Sequence, residues 1–269
     1  MKRVILITGI SSGFGRETAR SLAERGHIVY GTVRRECEVP VSVKALRIDL
    51  TDELSIKEGV KTVLENELKI DVLINNAGMH TGGPIETSPP DNIKLQMDSN
   101  FIGTVVLTKE VLPIMRKQGG GTIINFSSIG GLMGLPFQGF YSAAKFALEG
   151  FSEALRMEVA RFNIKIVVIN PGDFHTSNSA NRRKFLSPTE ENDPYKDTFE
   201  RSLQVIEKDE ANGRDPVTLA GKLVKIVESS NPRQRYIIAS FDQKLAVFLK
   251  KILPDTWFRM ILEGHYRVK

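Results

Sequence analysis

The sequence predicts an α/β fold: a single domain on a doubly wound, mostly parallel seven-stranded sheet with helices on both faces. Short β-branched runs alternate with long amphipathic stretches along nearly the whole chain. The first of those runs passes straight into a glycine-rich turn that opens a helical period. At 269 residues, the chain has a length that an α/β unit often carries as one domain.

The expected strands are Val4 to Thr8, Ile28 to Thr32, Val43 to Ile48, Val72 to Asn75, Thr122 to Phe126, Lys165 to Ile169 and Arg235 to Ala239. Their continuous Val and Ile content suits parallel strands buried on both faces. Ligands in such a sheet bind beyond the carboxyl ends of the strands, where the strand order switches. Helical periods follow, among them Arg16 to Arg25 and Tyr141 to Arg161. Residues 172 to 215 break the rhythm with Asn, Arg, Lys, Ser and Pro clusters. They read as a substrate flap, or else as a disordered connector. Residues 1 to 240 form the expected catalytic domain, and residues 241 to 269 a basic amphipathic extension.

Composition narrows the classes. The chain is 41% hydrophobic and 26% charged, so it can bury a large core and is neither fibrous nor disordered. Cys37 has no partner for an internal disulfide, and His27, His80, His175 and His265 lack metal-ligand spacing, so no metal is expected. The apolar run before Gly9 is too short for a signal peptide and no run approaches about 18 residues, which makes cytoplasmic the expected address. The formal net charge is +5. All of it lies in residues 231 to 269, where eight basic side chains face three acidic ones. The rest is neutral, which argues against a nucleic-acid binder.

The turn after the first run comprises Thr8, Gly9, Ile10, Ser11, Ser12, Gly13, Phe14 and Gly15. Glycine suits a tight turn, a close backbone approach to a pyrophosphate, and close packing of helix on strand, and the helix N-terminus attracts the anion. Gly9, Gly13 and Gly15 fit those three tasks, although their GxxxGxG spacing differs from the general GxGxxG, and a glycine turn without a ligand is the plain alternative. The second run ends at Arg34 and Arg35. An acid there would favour NAD, whereas an arginine can hold a 2′-phosphate. Arg34 therefore points to NADP(H), unless both arginines are solvated and partly neutralised by Glu36 and Glu38. Asp49 and Leu50 after the third run, and Asn76, Ala77 and Gly78 after the fourth, can pass close to a nucleotide or serve as turn chemistry.

Ser127 and Ser128 end the fifth run, and Tyr141 and Lys145 stand on the helix that follows. Their i, i+4 spacing puts phenol and ammonium on one face. A tyrosine of ordinary pKa about 10 is a poor base at neutral pH unless nearby positive charge favours its phenolate. Lys145, with an oxidised nicotinamide, would supply that charge. Tyr141 could then carry the proton to or from an alcohol oxygen, and Ser128 could donate to the same oxygen. A YxxxK pair also arises by chance on amphipathic helices.

Taken together, the turn and the YxxxK pair resemble the short-chain dehydrogenase/reductase family in its TGxxxGxG branch, over roughly residues 1 to 240. The resemblance implies a one-domain Rossmann fold and hydride transfer between a nicotinamide and an alcohol or ketone. It matches Ser128, Tyr141 and Lys145 to the catalytic serine, tyrosine and lysine, and Asn100 to the asparagine that holds a water of the proton relay. It matches Asn76 to a nucleotide-contacting amide, Asn170, Pro171 and Gly172 to the turn beside the nicotinamide, and Phe174 and Thr176 to the carboxamide site. Asp173 and His175 are less usual there. The segment Ile129 to Phe137 looks like that of 17β-hydroxysteroid and related retinol dehydrogenases. Leu132, Met133, Leu135 and Phe137 would line an apolar wall for a steroid, retinoid or long-chain keto lipid, or else pack the loop. The resemblance also implies a homodimer or homotetramer through residues 91 to 117 and 140 to 161.

In the extension, Phe241, Leu245, Phe248, Leu249 and Ile252 recur at helical spacing. Pro254 and a second cluster of Trp257, Phe258, Met260, Ile261 and Leu262 follow. With Lys250, Lys251 and Arg259, this element can pack on its own domain as a lid, pack on a partner subunit, or make peripheral contact with an anionic membrane. The expected function is NADP(H)-dependent interconversion of a ketone and an alcohol on a bulky apolar substrate. The same chemistry on a sugar, polyol or acyl thioester, and an inactive nucleotide-sensing protein, are the competing readings.

Overall fold

The computed structural model describes residues 2–175 and 193–269. Strands β1 (Val4–Ile7), β2 (Ile28–Val33), β3 (Val43–Arg47), β4 (Val72–Asn75), β5 (Gly121–Phe126), β6 (Ile164–Pro171) and β7 (Arg235–Ile238) form one sheet in the order β3-β2-β1-β4-β5-β6-β7. Every neighbouring pair is parallel, so the sheet is wholly rather than mostly parallel. The chain steps outward from β1 to β3, then crosses back to β4. The switch between β1 and β4 opens a crevice at their carboxyl ends. Each strand lies within one or two residues of its expected bounds, β6 running two residues on to Pro171.

Alternate side chains of the strands feed two cores, because both faces of a parallel sheet are covered. Ile5, Ile7, Val72 and Ile74 pack with Leu22 of α1 (Gly13–Glu24) and with Leu219 and Leu223 of α7 (Pro216–Glu228). Val4, Leu6 and Leu73 pack on the other face. There they meet Ile56 of α2 (Glu53–Glu67), Leu107 and Val111 of α4 (Gly103–Lys117) and Leu155 of α5 (Gly139–Val159). The stretch 91 to 117 is divided: α3 (Pro90–Met97), a widened π turn (Asp98–Ile102), then α4.

The flap expected over residues 172 to 215 is not irregular throughout. It contains helix α6 (Lys196–Ala211), whose Phe199, Ser202, Ile206 and Glu210 are buried. These recur at i, i+3, i+7 and i+11, but two are polar and most of their neighbours are charged, so the apolar stripe is too thin to read as a helix. Phe174 forms a parallel bridge with Arg214. The flap's residues 176 to 192, with the expected contact Thr176, lie outside the described residues. The extension is two helices, α8 (Phe241–Ile252) and α9 (Asp255–His265), divided at Pro254, which cannot continue a helix.

Helix α5 is held to the sheet by a polar seam. Lys145 Nζ donates to Phe126 O (2.8 Å), Glu149 accepts from Asn170 Nδ2 (2.6 Å), Ser152 Oγ accepts from Asn125 Nδ2 (2.9 Å), and Arg156 Nε donates to Ile166 O (3.2 Å). Asn125 Oδ1 also accepts from Asn75 Nδ2 at 2.8 Å, which in turn reaches Thr108 Oγ1 on α4. Asn125→Leu would leave the amides of Asn75 and Ser152's hydroxyl short of partners in a dry interior. We expect the variant to lose about 3 kcal/mol of stability, read as a lower urea midpoint at unchanged slope.

Candidate active site

The turn after β1 is shaped by what lies behind it. Gly9 takes a φ of +73°, and a Cβ there would meet Ala77 at 2.9 Å, so glycine answers both strain and space. A Cβ on Gly15 would lie 2.0 Å from Gly9 O; the third glycine of the motif serves packing of helix on turn. Thr8 Oγ1 accepts from the backbone N–H of Asn76 (3.0 Å) and Ala77 (2.9 Å). Asn76 Nδ2 donates to Thr8 O (2.8 Å) and Gly9 O (3.0 Å). Thr8, Gly15 and the Asn76 amide thus stitch the β1 and β4 turns together behind the crevice.

The crevice itself is lined by Gly9, Ser11, Ser12, Gly13, Phe14, Arg34, Asp49, Leu50, Asn76, Ala77 and Gly78 at one end. Asn100, Ser128, Tyr141, Lys145, Pro171, Gly172 and Phe174 line the other. The structure therefore brings both sets of sequence-derived residues into one continuous cleft, with Thr8 and Gly15 just behind it. Arg34 directly follows β2 and is exposed. Glu38, a candidate for neutralising it, pairs instead with Arg16 at 3.8 Å. Burial pushes the Asp49 carboxyl up, but hydrogen bonds from Thr51 and the charge of Arg34 outweigh it and hold the group below its usual pKa. Asp49 Oδ1 accepts from Thr51 N (2.9 Å) and Thr51 Oγ1 (2.7 Å), which is the turn chemistry weighed for it.

At the other end, Ser128 caps a short 3₁₀ turn (Ile129–Gly131), its Oγ accepting from Gly130 N at 3.0 Å. An acceptor role there leaves the hydroxyl proton for another oxygen. Lys145 Nζ lies 5.8 Å from the centre of the Tyr141 ring. Burial lowers the Lys145 pKa to about 8, against a smaller upward push from the Glu149 carboxylate one turn along the helix. Glu149 is itself only 6% exposed and is held by Asn170 and by Arg235 Nη1 at 2.5 Å. Asn170 Nδ2 also donates to Ser128 O at 2.9 Å, so the charge behind Lys145 and the backbone of Ser128 share one network. Asn100 stands in the widened π turn. Its Oδ1 accepts from Met79 N (2.8 Å) and its Nδ2 donates to Met79 O (2.7 Å). That side chain clamps a loop; it does not present a loose amide to a water.

Several lining residues escaped the sequence reading. The His80 ring stacks on Tyr141, centroids 4.0 Å apart and 4° from parallel; its one sequence signal was position, just beyond the carboxyl end of β4. Ile206, Asp209 and Glu210 of α6 and Tyr266 after α9 also line the cleft, brought there by elements distant in sequence. The expected apolar wall is only partly formed. Leu135 lines the cleft, whereas Leu132 and Met133 pack under α8 and α9. Phe137 lies against Phe199 at 5.3 Å. Those three side chains went to the helices that cover the loop.

The model of the short-chain dehydrogenases matches residues 3–187, and the chain belongs to that family of oxidoreductases. Among relatives, it is 46% identical to a 3-ketodihydrosphingosine reductase of Bacteroides thetaiotaomicron, over 99% of both chains. It is 32% identical to dehydrogenase/reductase SDR family member 7B of Bos taurus, over 96% of this chain and 80% of that one. A short-chain dehydrogenase from Streptomyces avermitilis superposes with a TM-score of 0.81 at 28% identity, over 100% of this chain and 98% of the other.

The charge of Lys145 can be read directly. Its amine gives up a proton near pH 8 when folded and near 10.5 when free. Between those values the unfolded chain binds more protons, and stability rises with pH as far as this group is concerned. By Cε NMR we expect a titration midpoint near 8, and a lower one in Glu149→Gln, which removes the opposing push. An unmoved midpoint would show that Glu149 does not act on the amine.

Proposed function

We propose that the protein is an NADP(H)-dependent reductase, or the reverse dehydrogenase, of a ketone on a bulky apolar substrate, with a long-chain keto lipid as the substrate class. The observation that carries the reaction is the convergence of Ser128, Tyr141 and Lys145 in the same cleft as the glycine turn. The fit to a dinucleotide rests on that turn. Gly9 and Gly13 both take positive φ, the β4 turn packs closely behind Gly9, and α1 begins at Gly13 with its first residues lining the cleft, where a helix N-terminus favours an anion. Ser11, Ser12, Gly13 and Phe14 would hold the pyrophosphate, Arg34 the 2′-phosphate, and Pro171, Gly172 and Phe174 the nicotinamide end, with Asn76, Ala77, Gly78, Asp49 and Leu50 along the adenosine half. When bound, the dinucleotide supplies or accepts the hydride.

The chain's own residues handle the proton. Tyr141 Oη delivers a proton to the carbonyl oxygen, or takes it from the alcohol, while Ser128 Oγ donates to the same oxygen. Lys145, charged below about pH 8, lowers the cost of the phenolate. His80 holds the phenol ring in plane by stacking. With its side chain spent on Met79, Asn100 would serve a relay through its main-chain carbonyl in the π turn, where the ordinary helical ladder is interrupted. The keto-lipid reading draws on the apolar lining from Met79, Ile129, Leu135 and Ile206 and on the likeness to the 3-ketodihydrosphingosine reductase.

A turnover screen of long-chain 3-keto lipids, steroids, retinoids, sugars and acyl thioesters, followed by NADPH absorbance, tests this. We expect the 3-keto lipids to lead; preference for a sugar or thioester would overturn the lipid reading. Retained NADPH binding with no turnover on any ketone would favour the nucleotide-sensing alternative. Tyr141→Phe should bind NADPH as before and lose about a thousandfold in kcat; substantial residual turnover would defeat the mechanism. Arg34→Asp should lower kcat/KM with NADPH by about tenfold or more while sparing NADH. A native enzyme that uses NADH as well as NADPH would remove the role given to Arg34.

A further inference from the structure

The last two helices carry apolar side chains on two faces each. The inner set, Val247, Leu249, Leu253, Phe258 and Leu262, packs on Ile129, Met133 and Ala239. The outer set of α8, Phe241, Leu245, Phe248 and Ile252, recurs at i, i+4, i+7 and i+11, within an arc of about 60° at 3.6 residues per turn. On α9 the outer set is Trp257, Met260 and Ile261. All seven are exposed, Phe241 at 81%, Phe248 at 56%, Trp257 at 63% and Met260 at 61%. A helix that already has an apolar face in the core has no folding use for a second, and contiguous exposed aromatic and aliphatic groups mark a contact surface.

Charge points to the occupant. Lys244 and Lys251 flank the α8 stripe on one side, by the same helical arithmetic. Of the nearby acids, Asp255 is engaged with Lys250 (2.6 Å), and Glu263 with Lys269 (2.7 Å) and Arg259 (3.5 Å); Asp242, at the first turn of α8 on the other side of the stripe, is hydrogen-bonded by Ser240. Burial first, then the charges of Lys244 and Arg214, lower the pKa of Lys222, so cations gather beside the stripe. Long lysine stems can lie along apolar surface with the amines among lipid headgroups. The same helices reach the reactive cleft. Gln243 of α8 bonds Asp173 beside Gly172, and Tyr266 lines the cleft, its carbonyl accepting from Ser202 Oγ at 2.6 Å.

We propose that the outer faces of α8 and α9 dock on an anionic lipid bilayer, burying the stripe at the level of the headgroups and bringing the cleft to the surface from which an apolar ketone would enter. The contact made by these helices is peripheral, since among the described residues no helix is long and apolar enough to cross a membrane. Docking is read without substrate or dinucleotide, so its failure would leave the reductase reading standing, and the converse holds too.

Trp257 is the one tryptophan of the chain, so its emission reports this surface directly. The full chain is mixed with vesicles of phosphatidylcholine, alone or with about a third phosphatidylglycerol, and followed by emission and co-sedimentation. We expect a blue shift and pelleting with the anionic vesicles, and weaker binding to the neutral ones. The double variant Lys244→Gln, Lys251→Gln should bind anionic vesicles about thirtyfold more weakly, at about fivefold per lysine. Phe248→Ser with Met260→Ser should lose about tenfold or more on both kinds of vesicle, with an unchanged circular dichroism spectrum. Unshifted Trp257 emission, or binding indifferent to both double variants, would overturn the proposal. So would a concentration-dependent dimer that shields Trp257 from acrylamide without lipid, which would assign the face to a second copy.

Discussion

The polar seam between α5 and the sheet sets the positions on which the rest of the site depends. Lys145, Glu149, Ser152 and Arg156 occupy one face of a helix at i, i+4, i+7 and i+11, and each meets a polar atom of β5 or β6. An apolar interface of this size would tolerate small slides, because dispersion contacts are individually weak and not directional. Hydrogen bonds in a dry interior do not, since a slide of one residue would orphan several buried groups at once. The seam therefore locks the helix against the strands along its axis. Tyr141, one turn before Lys145, inherits that register.

The seam also links charge to position. Lys145 is buried with one backbone carbonyl as its named hydrogen-bond partner, and its ammonium survives there because Glu149 stands four residues on. Glu149 in turn is tolerable because Arg235 and Asn170 satisfy its two oxygens. Asn170 then reaches the carbonyl of Ser128. One buried network thus supports both the Lys145 amine and the backbone of the loop that carries Ser128. Removing Glu149 would leave Lys145 and Arg235 without their carboxylate, and an uncompensated buried charge is costly.

The C-terminal helices take over work that the sequence assigned to the loop before α5. Leu132 and Met133 are covered by α8 and α9, and these helices bring Tyr266 to the cleft and Gln243 against Asp173, which lines it. The wall facing a substrate is consequently assembled from three distant pieces of chain: the loop at Leu135, α6 at Ile206 and Glu210, and the end of α9. Their outer surface keeps an apolar stripe that the domain's own folding does not use.

The strand positions and the glycine turn were legible because each is written in neighbouring residues: continuous Val and Ile runs, and glycines where backbone must turn or approach. The i, i+4 pairing of Tyr141 and Lys145 was legible for the same reason, as helical geometry converts spacing into a shared face. Helix α6 was not, its apolar stripe being too thin among charged neighbours, and Arg235 read only as the start of the last strand and one of eight basic side chains, although it is the partner of Glu149. Buried polar residues look solvated in a sequence, for nothing local distinguishes a carboxylate facing water from one facing an arginine 86 residues away. By itself the sequence determined the sheet, the dinucleotide-type turn and the serine, tyrosine and lysine of the site. Only the tertiary structure decided how Asn100 is spent, that His80 stacks on the phenol, and which helices close the cleft, because those depend on contacts between segments that share no local pattern.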